Sequence, residues 1–178
     1  MTLNGTFTMF SLEVTADGPA GITAGPDGAL WFAEEGGDAI GRITTDGALT
    51  VFPLPTPRAF PYGIATGADG AVWFTELQPT PAGSFQIGRI TTDGTITEFP
   101  VLHRTYWITS IDSYLWFTED ENNVVGRIRV NDRQLEEFVL PQPAGQPIGI
   151  TLGPGSQEAA DAWFTQLSGN RIGDITTR

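Results

Sequence analysis

The dipeptide Trp-Phe occurs four times in this chain, and each copy lies inside a longer repeated phrase. The intervals between copies are 42, 43 and 47 residues, and the copies begin at Trp31, Trp73, Trp116 and Trp163. Each phrase contains about four short strand-like segments, separated by turns rich in Asp and Gly. Repeats of this length with four strands each are typical of the blades of a β-propeller.

The repeats predict an all-β chain, folded as a β-propeller of four blades with four antiparallel strands each. In the second repeat, Asp93-Gly94 predicts a tight hairpin, because Gly tolerates the positive φ that such turns require. We expect one domain over residues 1–178. Its blades are predicted at approximately 15–57, 58–101, 102–141 and 142–178, the last completed by 1–14.

The two ends of the chain predict how the ring closes. The fourth repeat lacks its last strand, and residues 4–12 match residues 93–101 of the second repeat in step. An open array would leave a strand edge and apolar blade faces exposed. We therefore expect residues 6–10 to pair with residues 171–176. A monomer closed in this way is favoured, and a dimer forming an eight-bladed ring is the alternative.

Composition excludes several classes of function. The chain has neither Cys nor Lys, which rules out disulfides, thiolate metal sites and Schiff-base chemistry. Its net charge of −12 opposes binding to nucleic acid and to anionic membranes. No run of residues is long and apolar enough to span a membrane, and no leader follows Met1. We expect a soluble protein, cytoplasmic or secreted after removal of a signal.

A carboxylate ends the predicted second strand in three of the four repeats. The equivalent residues are Glu34, Glu76 and Glu119, with Gln166 in the fourth repeat. In a closed ring these strand ends lie on one face, so the four residues are candidates for ligand binding. The three carboxylates could also hold a divalent cation such as Mg²⁺ through oxygen ligands.

A structural role for these carboxylates is the alternative, and the sequence favours it. Each Glu would then form an ion pair with an Arg of the following strand, namely Arg42, Arg89 or Arg127. In the fourth repeat both partners change together, to Gln166 and Asp174. On this interpretation no cofactor is required.

Aromatic and basic side chains are predicted to line the same face as the strand-end carboxylates. They lie in the segments that connect one blade to the next. Such a mixture is suited to recognising a peptide or another small molecule. The candidate rim residues are Arg58, Phe60, Tyr62, Arg104, Tyr106 and Trp107.

Residues 25–34, 40–43 and 52–57 together resemble the virginiamycin B lyase (streptogramin lyase) family of β-propellers. They read Gly-Pro-Asp-Gly-Ala-Leu-Trp-Phe-Ala-Glu, Ile-Gly-Arg-Ile and Phe-Pro-Leu-Pro-Thr-Pro. The resemblance extends over essentially the whole chain. It implies an enzyme that linearises a cyclic depsipeptide antibiotic by elimination across its ester, with a histidine base and Mg²⁺ held by acidic groups. Members of the family resemble seven-bladed rings, whereas four blades are predicted here.

The histidines that the resemblance implies are absent from the matching positions. Those positions, just before the first strands, hold Phe60, Arg104 and Gln146. The only imidazole is His103, one residue away, and it is the single candidate for a catalytic base.

The sequence therefore favours a propeller that acts as a scaffold for binding a ligand or partner, without catalysis. The alternatives are a Mg²⁺-dependent carbon–oxygen lyase acting on a streptogramin B antibiotic, and an engineered or excised piece of a larger propeller.

Overall fold

The structure is a computed structural model that describes residues 5–12, 18–141, 145–154 and 161–176. These residues form fifteen β-strands and no helix, which confirms the all-β prediction. The strands are arranged in four antiparallel sheets, and each sheet is one blade. Nothing in the described ranges is a helix long and apolar enough to cross a membrane.

Three of the blades have four strands each. Blade 1 consists of β1 (Pro19–Ala24), β2 (Leu30–Glu34), β3 (Ala39–Ile43) and β4 (Leu49–Pro53). Blade 2 consists of β5 (Pro61–Thr66), β6 (Val72–Glu76), β7 (Phe85–Ile90) and β8 (Ile96–Val101). Blade 3 consists of β9 (Ile108–Ile111), β10 (Tyr114–Glu119), β11 (Val124–Arg129) and β12 (Leu135–Val139). Blade 4 has three described strands, β13 (Pro147–Leu152), β14 (Asp161–Gln166) and β15 (Arg171–Thr176).

The strands of each blade follow one another in sequence order, so the first strand lies at one edge of its sheet. The first strands of successive blades, β1, β5, β9 and β13, are neighbours. They therefore line the inner side of the array of blades, as expected for sheets arranged around a central channel.

The Phe of each Trp-Phe dipeptide explains the Gly of the Ile-Gly-Arg-Ile segment. Phe74 lies opposite Gly88 in the β6–β7 ladder. A Cβ added to Gly88 would lie 2.0 Å from ring atoms of Phe74. Any larger residue would therefore displace the ring from the blade core. The same pairing recurs between Phe32 and Gly41.

In blades 1 to 3 the Trp of the dipeptide is part of the core between blades. Trp31 belongs to one cluster with Phe74 of blade 2, and Trp73 to the next with Phe117 of blade 3. In these three blades a Phe of the fourth strand stacks on the indole, as Phe52 does on Trp31 with ring centroids 5.5 Å apart. The same aromatic packing recurs at equivalent positions of the repeats, so the sequence repeat reflects a repeated core contact.

A Thr two residues after the Trp connects neighbouring blades near the inner edge. The Thr75 hydroxyl donates to the carbonyl of Tyr106 in the connection to blade 3, and the distance is 2.9 Å. Thr75 Oγ1 also accepts a hydrogen bond from the Gly63 amide at 2.9 Å. Thr118 repeats the arrangement, donating to the carbonyl of Ile148 in blade 4.

The predicted closure of the ring is not observed. Residues 5–12 form no strand, and the sheet of blade 4 ends at β15. Trp163 is 37% exposed, whereas the three equivalent indoles are almost fully buried.

The N-terminal segment lies beside blade 1 instead. A Cβ on Gly47, in the β3–β4 turn, would lie 2.6 Å from the ring of Phe10. Gly94 of blade 2 has the same relation to Phe52, at 2.5 Å. The ring of Phe10 thus has the same place at blade 1 that the ring of Phe52, in the preceding fourth strand, has at blade 2. The predicted pairing of residues 6–10 with residues 171–176 is not present in the described structure.

Candidate functional site

The strand-end carboxylates lie at equivalent ends of their sheets and are buried. Glu76 ends β6 opposite Pro61, where β5 begins, and Glu34 lies opposite Pro19 in the same way. Gln166 lies opposite Pro147 in blade 4. Glu34, Glu76 and Glu119 are each at most 1% exposed. Both carboxylate oxygens of all three lack a hydrogen-bond partner among the described residues.

Burial makes these carboxyl groups hard to ionise. It raises the pKa of Glu34. The pKa of Glu76 rises to about 8, first because of burial and then because of the charges of Glu98 and Asp38. The pKa of Glu119 also rises to about 8, through burial and the neighbouring Glu137. The charges that raise the pKa values of Glu76 and Glu119 therefore belong to other acidic residues and not to the other strand-end carboxylates.

The structure does not bring Glu34, Glu76 and Glu119 together as ligands of one cation. In the described ranges, the one group of three metal-ligating side chains comprises His103, Glu119 and Glu137. The strand ends share one end of the array, but the three carboxyl groups do not lie within reach of one ion. The predicted three-carboxylate metal site is therefore not present in this arrangement.

The predicted ion pairs between the strand-end Glu and the following Arg are also wrong. Arg42 pairs with Asp27 at 2.6 Å and Arg89 with Asp69 at 2.7 Å. The register explains the error, because Arg42 lies opposite Trp31, three residues from Glu34. Side chains three residues apart in a strand point to opposite faces of the sheet.

The turn aspartates have a structural role that the sequence analysis missed. Asp69 accepts hydrogen bonds from the Trp73 indole at 3.1 Å and from Arg89. Burial acts to raise the pKa of Asp69, but the hydrogen bonds from Arg89 and Trp73 outweigh it and lower the pKa. Asp27 binds Trp31 and Arg42 in the same way. The spacing Asp-Gly-x-x-Trp was the available signal.

Three predicted rim aromatics form one cluster at the inner edge of blades 2 and 3. The rings of Tyr62 and Tyr106 lie 4.8 Å apart, and Trp107 meets Tyr62 edge-on at 5.7 Å. The Tyr106 hydroxyl donates to that of Tyr62 at 3.4 Å. This hydrogen bond, together with burial, raises the pKa of Tyr106 to about 12.

An open cleft of about 790 Å³ lies along blade 4, beside this cluster. Tyr106 and Gln166 both line it, so the structure brings together two of the predicted binding residues. Ile148 and Leu167 supply apolar surface, and Arg171 supplies a charge. This combination of apolar walls with a few polar groups is suited to a small organic ligand or a short peptide.

The remaining rim residues stabilise the connections between blades. Arg104 forms ion pairs with Asp120 at 2.7 Å and with Glu121 at 3.0 Å. Arg58 and Phe60 have positive φ values of 59° and 52°. Their amides donate to the carboxylate of Asp38, another residue that the sequence analysis missed.

Asn123 stabilises the connection between blades 3 and 4 as Asp38 does that between blades 1 and 2. Its side-chain oxygen accepts from the Gly145 amide at 2.9 Å, and its amide group donates to the Leu140 carbonyl at 3.3 Å. Asp38 and Asn123 both directly precede a third strand and both have positive φ. This shared position was the signal that could have identified them.

His103 does not line the cleft. It lies in the connection between blades 2 and 3, with its imidazole near Glu119 and Glu137. The predicted catalytic base is thus separated from Tyr106 and Gln166, although all three lie near blade 3.

Comparison with known proteins gives a consistent family relationship. The sequence matches the Virginiamycin B lyase family over residues 1–157. A solved streptogramin B lyase structure superposes with a TM-score of 0.85 and 40% identity, over 97% of this chain and 56% of that one. A catalytically inactive virginiamycin B lyase from Staphylococcus aureus, solved with quinupristin, gives 0.84 and 40%, over 94% and 55%.

The chain thus spans a little over half the length of these relatives. Structures of lower identity share the fold alone, among them a nidogen/laminin complex at 16% identity and a TM-score of 0.68. A comparison with curated protein sequences found no match.

Proposed function

The chain belongs to the virginiamycin B lyase family, and from this premise we propose that it is a binding scaffold for a peptide-like ligand. The observation that carries the proposal is the cleft of about 790 Å³ along blade 4, lined by Tyr106 and Gln166 among others. An aromatic ring, an amide and the guanidinium of Arg171 can together bind a ligand that carries both apolar groups and carbonyls. A streptogramin B antibiotic such as quinupristin is the ligand class to test.

We propose binding without turnover, because the cleft lacks a suitable base. An elimination requires a base close to the acidic proton of the substrate. Of the described residues that line the cleft, none is His, Asp or Glu. The runner-up function is a Mg²⁺-dependent lyase, supported by the 40% identity to a streptogramin B lyase over most of this chain.

One experiment separates the two functions. The full chain is titrated with quinupristin, with and without Mg²⁺, and the mixture is then examined for a linear product by mass spectrometry. We expect saturable binding that Gln166→Ala weakens at least tenfold, and no product. Gln134→Ala is the matched control, since Gln134 is exposed and does not line the cleft. Absence of binding would refute the scaffold, and Mg²⁺-dependent product would establish the lyase.

We further propose that residues 5–12 of a second copy complete blade 4. The edge strand β15 has no fourth strand beside it in the described sheet. Ile172 and Leu152 of this blade are more than half exposed, and Trp163 is 37% exposed. Residues 5–12 already lie at the opposite end of the array, where the ring of Phe10 has the place of a fourth-strand Phe. Two copies would therefore satisfy both ends at once and form a ring of eight blades.

Threonine hydrogen bonding supports the same partner. Thr75 and Thr118 each accept from an amide of their own blade and donate to a carbonyl of the next. Thr165 accepts from the Gly149 amide in the same way. Blade 1 of a second copy would present a carbonyl to its hydroxyl and would then form a further wall of the ligand cleft, which Thr165 also lines.

Solution mass tests this assembly. We expect twice the chain mass, with Trp163 shielded from a fluorescence quencher, and a monomer after deletion of residues 1–12. A monomeric parent chain would contradict the proposal. A monomer with Trp163 shielded would indicate closure within one chain instead, and a monomer with Trp163 accessible would leave the blade-4 edge without either partner.

A further inference from the structure

We propose that His103, Glu119 and Glu137 form a binding site for a divalent transition-metal ion of the Zn²⁺ type. The site lies where the connection between blades 2 and 3 meets blade 3. It is distinct from the ligand cleft, which none of its three residues lines, and it does not depend on the proposed binding function.

Three separate chain segments converge at the site. His103 lies between β8 and β9, Glu119 ends β10, and Glu137 is in β12. One ligand atom from each residue lies within 4.8 Å of the others. An ion about 2.1 Å from each of its ligands holds them roughly 3.5–4.2 Å apart, so small side-chain rotations suffice.

The carboxyl groups of Glu119 and Glu137 lie close enough to interact with each other, and no other described donor satisfies their buried oxygens. Glu119 is fully buried, and neither of its oxygens has a hydrogen-bond partner. Oε1 of Glu137 is likewise buried and without a partner. Two neighbouring carboxylates in such a place are costly unless a cation offsets them.

The imidazole of His103 is also available. Within the described part of the chain, it forms no hydrogen bond and no ion pair. The imidazole nitrogen of His103 lies near the two carboxylates but is neither hydrogen-bonded nor ion-paired to them. The three groups therefore leave space for an ion between them.

Blade 2 shows what the same place looks like without a histidine. There Glu76 is accompanied by Glu98, the outer-strand counterpart of Glu137, since each lies opposite the Gly of its third strand. The Thr56 hydroxyl donates to Glu98 at 2.7 Å, and the Thr56 amide donates at 3.2 Å. Thr56 and His103 each lie four residues after the Phe of the preceding fourth strand.

Blade 3 thus has a metal-ligating imidazole where blade 2 has a hydroxyl donor. Blade 1 lacks the outer-strand carboxylate, because Val51 lies opposite its third-strand Gly41. The metal site is therefore a property of one blade and not of the repeat.

The donor set indicates the class of metal. One imidazole nitrogen and two carboxylates suit Zn²⁺, Mn²⁺ or Fe²⁺, whereas Mg²⁺ and Ca²⁺ prefer ligands that are all oxygen. Three protein ligands also leave a coordination position for water. Bound metal would tie the connection between blades 2 and 3 to both β10 and β12.

The test is a calorimetric titration of the full chain, freed of metal by EDTA, with ZnCl₂. We expect one high-affinity equivalent per chain and a rise in Tm with Zn²⁺. Zn²⁺ affinity should fall at least 100-fold in His103→Ala and at least tenfold in Glu137→Gln. Mg²⁺ at the same concentration should leave the Tm unchanged. Co²⁺ should give visible absorption bands that His103→Ala abolishes.

Two control variants test whether the loss of Zn²⁺ binding is specific to the proposed ligands. His103→Cys supplies another good Zn²⁺ ligand and should retain binding within tenfold of the parent. Glu98→Gln alters the equivalent carboxylate of blade 2 and should bind Zn²⁺ like the parent. Absence of a stoichiometric site in the parent, or equal affinity in the parent and His103→Ala, would overturn the proposal.

Discussion

Replacing Glu76 by Gln should stabilise this protein at neutral pH. Glu76 is fully buried, and its carboxylate oxygens have no hydrogen-bond partner in the described structure. Gln has nearly the same shape and carries no charge. Its amide can also donate a hydrogen bond towards Glu98, whose charge contributes to the raised pKa of Glu76.

The magnitude follows from linkage between ionisation and folding. The pKa of Glu76 rises from 4.5 to about 8 on folding. Because the folded state disfavours the ionised form, the free energy of unfolding falls as pH rises from the unfolded pKa to the folded one. At ~1.4 kcal/mol per pH unit, the cost at pH 7 is about 3 kcal/mol as an upper bound. Relaxation of the surroundings reduces it, so we expect a gain of about 1–3 kcal/mol in Glu76→Gln.

The assay is urea unfolding of parent and variant at several pH values. The gain should be near zero at pH 4.5, grow up to pH 8 and then level off. Glu35→Gln removes the same charge from a partly exposed position and should change the unfolding free energy by less than about 0.5 kcal/mol. A Glu76→Gln variant less stable than the parent at pH 7 would refute the reasoning and favour a charged partner for Glu76.

Three further substitutions test the repeated architecture. Gly88→Ala places a Cβ against the Phe74 ring and should lower the unfolding free energy by about 1–3 kcal/mol; an unchanged urea midpoint would contradict this. Asp69→Ala removes the acceptor of the Trp73 indole, with an expected cost of about 1–3 kcal/mol at pH 7. Because the folded pKa of Asp69 is lowered, that cost should shrink as pH falls through its folded value, and a cost constant with pH would argue against the network. Thr75→Val should cost about 1–3 kcal/mol by breaking hydrogen bonds to two neighbouring segments, while Thr75→Ser should restore most of it; equal losses in both would contradict the hydrogen-bonding role.

The repeat predicted most of the fold, because each blade repeats the same packing. Each residue of the Trp-Phe dipeptide makes one of the contacts that build a blade. The indole packs in the core between blades, and the Phe ring packs against the Gly of the third strand. A pattern tied to core packing survives in the sequence. Equivalent positions also predicted that Glu34, Glu76 and Glu119 share one end of their sheets.

The predictions that failed concern which side chains meet across strands. The Arg of the third strand was assigned to the strand-end Glu by proximity in sequence, but the antiparallel register places it opposite the Trp, on the other face. The group formed by His103, Glu119 and Glu137 could not be predicted from the repeat either. Its members come from a connection, a second strand and a fourth strand, and their meeting depends on the path of the connecting loop.

The three buried carboxylates at the ends of the second strands provide a final test, because each has different ionisable groups near it. Glu34 experiences burial alone, Glu76 also has Glu98 and Asp38 near it, and Glu119 has both Glu137 and His103. We therefore expect Glu→Gln to stabilise the metal-free protein at pH 7 less at Glu34 than at Glu76. At Glu119 the same substitution should stabilise the metal-free protein but remove the rise in Tm with Zn²⁺, since the ion loses a ligand. Thermal unfolding of the three variants with EDTA and with ZnCl₂ measures both effects. If all three respond equally to Zn²⁺, the ion acts elsewhere and the distinction between the blades is wrong.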